Sequence, residues 1–128
     1  MRILLDTHIL LWALIDPAKL NTDVRVTLED PEHEVLFSAA SVWEMSIKFA
    51  LGRADFSVPP ATIVEAALAS GFVELPVRSA AALKVASLPH LHRDPFDRLL
   101  VAQAMTEPAA LYTADTQLVA YSELVVCQ

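Results

Sequence analysis

The chain has 128 residues, of which 55% are hydrophobic and 20% charged, which fits one domain over residues 1–128 and excludes an intrinsically disordered protein. Sixteen acidic and nine basic residues give a formal net charge of −7, which argues against binding of nucleic acid through a broad basic surface. The single cysteine excludes an intramolecular disulfide, and no run approaches the ~18 apolar residues of a spanning helix, so we expect a cytoplasmic protein without membrane contact.

Short apolar runs alternate along the chain with segments whose apolar residues recur at helical spacing. In chain order they predict strand 3–5, helix 9–15, helix 24–28, strand 35–37, helix 42–50, helix 62–69, strand 72–75, helix 80–87, helix 95–107, strand 111–113, helix 116–121 and strand 124–127. Ser79 is the predicted cap of the fifth helix, and Cys127 is expected to be buried in the last strand. This order predicts an α/β protein with a mostly parallel sheet between helices.

Polar and acidic side chains stand where three of the predicted strands end. In an open α/β sheet, ligands bind in the crevice beyond the carboxyl ends of the strands. The residues that follow the three strands are Asp6 with Thr7, Ser38 and Ser41 with Glu44, and Thr113 with Asp115. Asp97 lies near the N-terminus of the longest predicted helix. If that helix end faces the same edge of the sheet, four carboxylates converge there.

Four converging carboxylates predict a site for a hard divalent cation. Oxygen ligands suit Mg²⁺ or Mn²⁺, and Mg²⁺ usually leaves coordination positions for water and phosphate oxygens. Crowded carboxylates repel one another, and a cation relieves that repulsion. Such a cation can hold a water molecule as the nucleophile and polarise a phosphodiester, so no histidine, cysteine or serine nucleophile is required.

Each carboxylate also has a structural interpretation that the sequence leaves open. Asp6 and Asp115 are both placed to cap the helices that follow them. Glu44 has the spacing for an ion pair with Lys48, four residues further along a helix surface. Asp97 falls in the first turn of its helix, where an acidic side chain complements the helix dipole. No single acid is therefore specific for a metal site.

The loop before the longest helix carries further charged side chains. Asp94 is interpreted as the structural N-cap of that helix. Arg93 and Arg98 flank the acidic segment and can either hold phosphate oxygens of a substrate or pair with local carboxylates. His90 and His92 are interpreted as loop residues, because no third ligand lies at the spacing of a known metal site.

Four short motifs occur in order along nearly the whole chain. They are Leu4–His8 (LLDTH), Ser41–Met45 (SVWEM), Arg93–Gln103 (RDPFDRLLVAQ) and Thr113–Asp115 (TAD). Each motif alone is loose, but the ordered set is specific. Together they resemble the motifs of PIN-domain ribonucleases, and most closely those of the VapC-like toxins of bacterial type II toxin–antitoxin pairs.

The resemblance implies a three-layer α/β/α fold with a central, mostly parallel sheet of four to five strands and an acidic pocket that holds Mg²⁺ or Mn²⁺. It implies catalytic and metal-binding roles for four carboxylates, those of Asp6, Glu44, Asp97 and Asp115. Thr113 matches the hydroxyl residue beside the last acid, and Thr7 is expected to support the same pocket. No ligand role is transferred to Asp94.

The resemblance also implies a hydrolase that cleaves RNA endonucleolytically, leaving a 5′-phosphate and a 3′-hydroxyl. It implies a homodimer and a cognate antitoxin, whose basic segment would suit the net charge of −7. Two alternatives stay open. A HAD-like or receiver-like phosphoryl-transfer protein also has an aspartate after its first strand, although His8 breaks the D-x-D pattern of the HAD proteins. A non-catalytic module would use the acids only to bind a basic partner.

Overall fold

The computed structural model describes all 128 residues, and every predicted strand and helix is present in it. The five strands are β1 (Arg2–Leu5), β2 (Glu34–Ser38), β3 (Val73–Leu75), β4 (Ala110–Thr113) and β5 (Val125–Cys127). The six α-helices are α1 (Thr7–Ile15), α2 (Thr22–Glu29), α3 (Ala39–Ala50), α4 (Pro60–Ala69), α5 (Ser79–Val85) and α6 (Pro95–Thr106). Three short 3₁₀ helices cover Pro17–Lys19, Ala54–Phe56 and Thr116–Tyr121. No helix is long and apolar enough to cross a bilayer.

The five strands form one parallel sheet in the order β3-β2-β1-β4-β5. The central strand β1 pairs Leu5 with Phe37 of β2 on one side and with Tyr112 of β4 on the other. Parallel sheets of this kind need both faces covered, because their strands are apolar on both sides. The prediction of a mostly parallel sheet is confirmed.

Alternate residues of β1 belong to two separate apolar cores, one on each face of the sheet. Ile3 and Leu5 pack in a core that includes buried residues of α1, α2, α3 and α4. Leu4 packs in a second core with residues of α6 such as Leu100. Because successive side chains of a strand point to opposite faces, one short strand anchors both helix layers. The three-layer α/β/α architecture is confirmed.

Some boundaries differ from those predicted. Helix α3 begins directly after β2, where a turn was predicted, because the Ser38 hydroxyl accepts the N–H of Ala40 at 3.0 Å and caps the helix. The N-cap of α5 is Arg78, which makes no side-chain cap bond, and the predicted cap Ser79 is the first helical residue. Cys127 is only partly buried, because β5 is an edge strand with a single neighbour.

The topology places one edge of the sheet beside three helix N-termini. The carboxyl ends of β1 and β2 lead directly into α1 and α3. The N–H of Asp6 donates to the Tyr112 carbonyl at 2.9 Å, so β1 and β4 remain paired up to the end of β1. The rings of Trp43 and Phe96 meet edge to face with centroids 5.2 Å apart, which brings the start of α6 to the same edge.

Candidate active site

Asp6 lies at the carboxyl end of β1 as the N-cap of α1, and only 5% of its surface is exposed. Its Oδ1 accepts the N–H of Ile9 at 2.8 Å, and its Oδ2 accepts the hydroxyl of Thr113, at the end of β4, at 2.5 Å. Burial raises the pKa of the Asp6 carboxyl, although these hydrogen bonds act in the opposite direction. Asp6 is therefore a helix cap that also faces the edge of the sheet.

Glu44 reaches the same edge from α3 and is buried, with 3% of its surface exposed. Its Oε1 accepts the Thr7 hydroxyl at 2.6 Å, and the hydroxyl oxygens of Thr7 and Ser41 lie 3.0 Å apart. The Nζ of Lys48 donates to the Oε2 of Glu44 at 2.5 Å, as the spacing of the two residues indicated. The pair does not lie on a solvated helix surface. Lys48 instead offsets the cost of desolvating the Glu44 carboxylate.

Asp97 is the carboxylate of this group that makes no side-chain hydrogen bond. Its neighbour Asp94 caps α6 and accepts the N–H of Phe96 at 2.8 Å, which is the structural role predicted for it. Burial of the Asp97 carboxyl, followed by the negative charges of Asp94, Asp6 and Glu44, raises its pKa to about 7. Ionised Asp97 is therefore held at an electrostatic cost that a bound cation would remove.

Asp115 is the N-cap of the last 3₁₀ helix, where its Oδ1 accepts the N–H of Gln117 at 2.9 Å. Its Oδ2 lies 2.7 Å from Nε2 of His92, and that nitrogen is 3.7 Å from Oδ2 of Asp97. One ligand atom from each of His92, Asp97 and Asp115 lies within 4.8 Å of the others. His92 was not predicted as a site residue, because no third ligand stands at metal-site spacing in the sequence and its partner Asp115 is 23 residues away. The feature of the sequence that could have identified His92 is its position two residues before Asp94, the N-cap of α6.

Contacts through Thr113 and His92 link three of the four predicted carboxylates, and Glu44 acts on Asp97 only through its charge. Thr113 donates its hydroxyl to Asp6 and accepts the N–H of Asp115 at 3.0 Å, so it links two of them. The negative charges of Asp6 and Glu44 both raise the pKa of Asp97. The donor atoms are mostly carboxylate oxygens, which fit Mg²⁺ or Mn²⁺ and are unlike the thiolate and imidazole sets of structural zinc sites. The residues present therefore fit a hard divalent cation.

The two arginines of the predicted site have different environments. Arg98 donates from Nη2 to the carbonyl oxygens of Val85 and Leu88 at 3.3 and 3.2 Å, so the structure does not bring its guanidinium to the carboxylates. Arg93 is exposed and makes no ion pair. With Gln117 and the loop before α6, it lines an open depression of about 370 Å³ next to His92. Arg93 is the free cation beside the site.

Comparison with known proteins identifies the family. A sequence model of the PIN domain matches residues 3–124. No curated protein sequence matches the chain. Two solved structures are similar in fold. VapBC2 from Rickettsia felis, bound to a DNA fragment from the promoter, has a TM-score of 0.71 and 12% identity, and the match covers 100% of this chain and 98% of that one. FitAcB from Neisseria gonorrhoeae has a TM-score of 0.63 and 22% identity, and the match covers 98% of this chain and 96% of that one. Because the matched segment includes all four carboxylates and nearly the whole chain, the protein belongs to the PIN domain family.

Proposed function

We propose that this protein is a Mg²⁺- or Mn²⁺-dependent endoribonuclease that acts as the toxin of a type II toxin–antitoxin pair. The observation that carries the proposal is the carboxylate of Asp97, which makes no side-chain hydrogen bond and lies among the charges of Asp6, Asp94 and Glu44. A divalent cation would remove this repulsion. Membership of the PIN domain family supports a nuclease.

The proposed metal ligands are the carboxylates of Asp6, Glu44, Asp97 and Asp115. A cation bound there would supply an activated water and stabilise negative charge on the phosphodiester. Asp97 and Asp6 are proposed as the principal ligands, since Asp97 makes no side-chain hydrogen bond and the charge of Asp6, at the end of β1, acts on it. The hydroxyls of Thr113 and Thr7 hold Asp6 and Glu44 in one orientation, which is the preorganisation that a catalytic site requires.

Arg93 is the proposed contact to the RNA phosphate backbone. It is exposed, free of ion pairs, and directly precedes the acidic helix start. A guanidinium can donate two parallel hydrogen bonds to a phosphate. With a net charge of −7, the protein needs such local contacts in place of a broad basic surface. Arg98, whose guanidinium binds backbone carbonyls, is assigned a structural role.

A cognate antitoxin is the proposed protein partner. The similar structures are the VapBC2 and FitAcB complexes, and the likeness extends over almost the entire chain. The net charge of −7 and the acidic edge of the sheet would attract a basic antitoxin segment.

A homodimer is the proposed assembly, formed through the face of α3 and α5. Trp43, Leu51 and Leu83 are 62%, 65% and 74% exposed. Trp43 and Phe96 line an apolar groove of about 260 Å³ with Ala82 and Val85 of α5, the helix that also carries Leu83. Contiguous exposed apolar surface is typical of protein interfaces. A second copy is the proposed occupant, because a two-fold axis would pair the same apolar groups with each other.

Phosphoryl transfer through an Asp6 nucleophile is not favoured. Both carboxylate oxygens of Asp6 accept hydrogen bonds, from Ile9 and Thr113, and the side chain is buried. A nucleophile would need an oxygen open to in-line attack on phosphorus, whereas a metal ligand needs only the second lone pair of an oxygen that already accepts one hydrogen bond. Failure of a phosphate mimic to label Asp6 is the expected result.

Cleavage of labelled tRNA and mRNA by the purified protein tests the proposal. Cleavage is expected with Mg²⁺ or Mn²⁺, and only background with EDTA or in Asp97→Asn. The matched control is Glu65→Gln, which removes one negative charge from the exposed side of α4 and should cleave like the wild type. Full activity in EDTA or in Asp97→Asn would overturn the mechanism. Antitoxin binding without any hydrolysis would favour the non-catalytic module.

A further inference from the structure

His92 has two hydrogen-bonding contacts that together determine its role. Its Nδ1 accepts the backbone N–H of Asp94 at 3.0 Å. Its Nε2 lies 2.7 Å from the Oδ2 of Asp115. The ring joins the loop before α6 to Asp115, two residues after the end of β4, and only 14% of the side chain is exposed.

The contact with Asp94 determines where the imidazole proton lies. A backbone N–H is always a donor, so the Nδ1 that receives it must have a free lone pair. In the neutral ring the proton is therefore on Nε2, and Nε2–H donates to the carboxylate of Asp115. An Nε2 that carries a proton has no lone pair for a cation.

We propose that His92 is a positioning residue that orients Asp115 and is not a metal ligand. The proximity of His92, Asp97 and Asp115 would by itself suggest a three-ligand metal centre. Coordination through Nε2 would move the proton to Nδ1, where it would oppose the N–H of Asp94 at the start of α6. The hydrogen bonds of the loop favour the positioning role.

The loop that carries His92 is held from a second direction. The hydroxyl of Tyr121 accepts the backbone N–H groups of Leu91 and His92 at 3.2 and 3.0 Å. The backbone and the ring of His92 therefore both bond to the segment that contains Asp115. With Oδ1 of Asp115 accepting the N–H of Gln117, both oxygens of this carboxylate have defined partners. His92 thereby determines how Asp115 faces Asp97, as outer hydrogen-bond partners do for metal ligands.

Two substitutions separate the two contacts. His92→Gln places an amide N–H donor close to the position of Nε2, whereas His92→Asn places an acceptor close to Nδ1 and has no donor that reaches Asp115. We expect Mn²⁺ affinity, measured by electron paramagnetic resonance of free Mn²⁺, to fall about 10- to 100-fold in His92→Asn. His92→Gln should recover most of that loss. Wild-type affinity in His92→Asn, or no recovery in His92→Gln, would contradict the proposal.

A second measurement needs no variant and no activity. Long-range ¹H–¹⁵N spectra of the metal-free wild-type protein at pH 8 should show a protonated Nε2 and an unprotonated Nδ1 for His92. The pattern should persist with saturating Mg²⁺. A protonated Nδ1, or loss of the Nε2 proton when Mg²⁺ binds, would identify His92 as a ligand and overturn the proposal.

This inference rests on the proposed function only in taking Asp115 to be a metal ligand that must be oriented. If the wild type binds Mn²⁺ but cleaves no RNA, the ribonuclease proposal fails while the affinity and tautomer results still decide the role of His92. If RNA is cleaved and the Nδ1 of His92 is protonated, the ribonuclease proposal stands and the positioning role fails.

Discussion

Asp97→Asn is expected to stabilise the metal-free protein, and the gain should grow as the pH rises. Burial and the charges of Asp94, Asp6 and Glu44 raise the pKa of Asp97 from 3.8 to about 7 in the folded protein. Between about pH 4 and pH 7 the folded state keeps a proton that the unfolded chain has already released. The free energy of unfolding therefore falls as the pH rises through that interval. The asparagine variant has no such proton to lose.

The magnitude follows from the pKa difference. A tenfold change in proton affinity corresponds to about 1.4 kcal/mol, so ionised Asp97 costs the folded protein about 4 kcal/mol above pH 7. Between pH 5 and pH 8 the variant should gain about 3 kcal/mol relative to the wild type. Asp94, Asp6 and Glu44 interact with Asp97, so the difference reports the whole group of carboxylates, whereas distant carboxyls cancel.

Urea unfolding in EDTA at pH 5, 6, 7 and 8 measures the effect. Glu65→Gln is the charge-matched control, because its side chain is exposed and makes no ion pair, and its curve should run parallel to that of the wild type. Saturating Mg²⁺ should stabilise the wild type more than Asp97→Asn at pH 8. Parallel curves for Asp97→Asn and the wild type from pH 5 to pH 8 would refute the assignment of Asp97 as the strained carboxylate.

Three further substitutions probe the contacts around the site. Thr113→Val should lower stability by about 1–3 kcal/mol and reduce cleavage, because it leaves the buried carboxylate of Asp6 without its hydroxyl donor; urea unfolding and RNA cleavage measure this. Lys48→Met should destabilise the metal-free protein by about 2 kcal/mol, since Glu44 is buried and loses its cation, and added Mn²⁺ should recover part of the loss. Leu83→Glu should convert the proposed dimer into a folded monomer in light scattering.

Matched variants control for effects unrelated to these contacts. Thr106→Val removes a hydroxyl that bonds only to the carbonyls of its own helix, so its stability should change little and its activity not at all. Val26→Glu places the same charge on an exposed apolar position of α2 and should leave the oligomeric state unchanged. Equal losses in Thr113→Val and Thr106→Val, or a dimeric Leu83→Glu protein, would contradict the respective predictions.

The order of strands and helices could be predicted because it depends on local patterns. Apolar periodicity located every strand and α-helix, and proline and capping residues located most boundaries, but the 3₁₀ helices Pro17–Lys19 and Ala54–Phe56 were not predicted. The ion pair of Glu44 with Lys48 was also predictable, since residues four apart share one helix face. The start of α3 was placed too late, because the small residues after Ser38 suit a turn as well as a helix that the Ser38 hydroxyl caps. The central position of β1 could not be derived from local spacing.

Sequence alone indicated which carboxylates stand at strand ends and which of them could cap a helix. The cap bonds of Asp6, Asp94 and Asp115 each reach a backbone N–H two or three residues away, so they depend only on local geometry. Only the tertiary structure decided what the other carboxylate oxygen, Oδ2, of Asp6 and of Asp115 contacts. Thr113 is 107 residues from Asp6, and His92 is 23 residues from Asp115. Those contacts exist because burial of both faces of the sheet sets the strand order, and that order brings distant strand ends together.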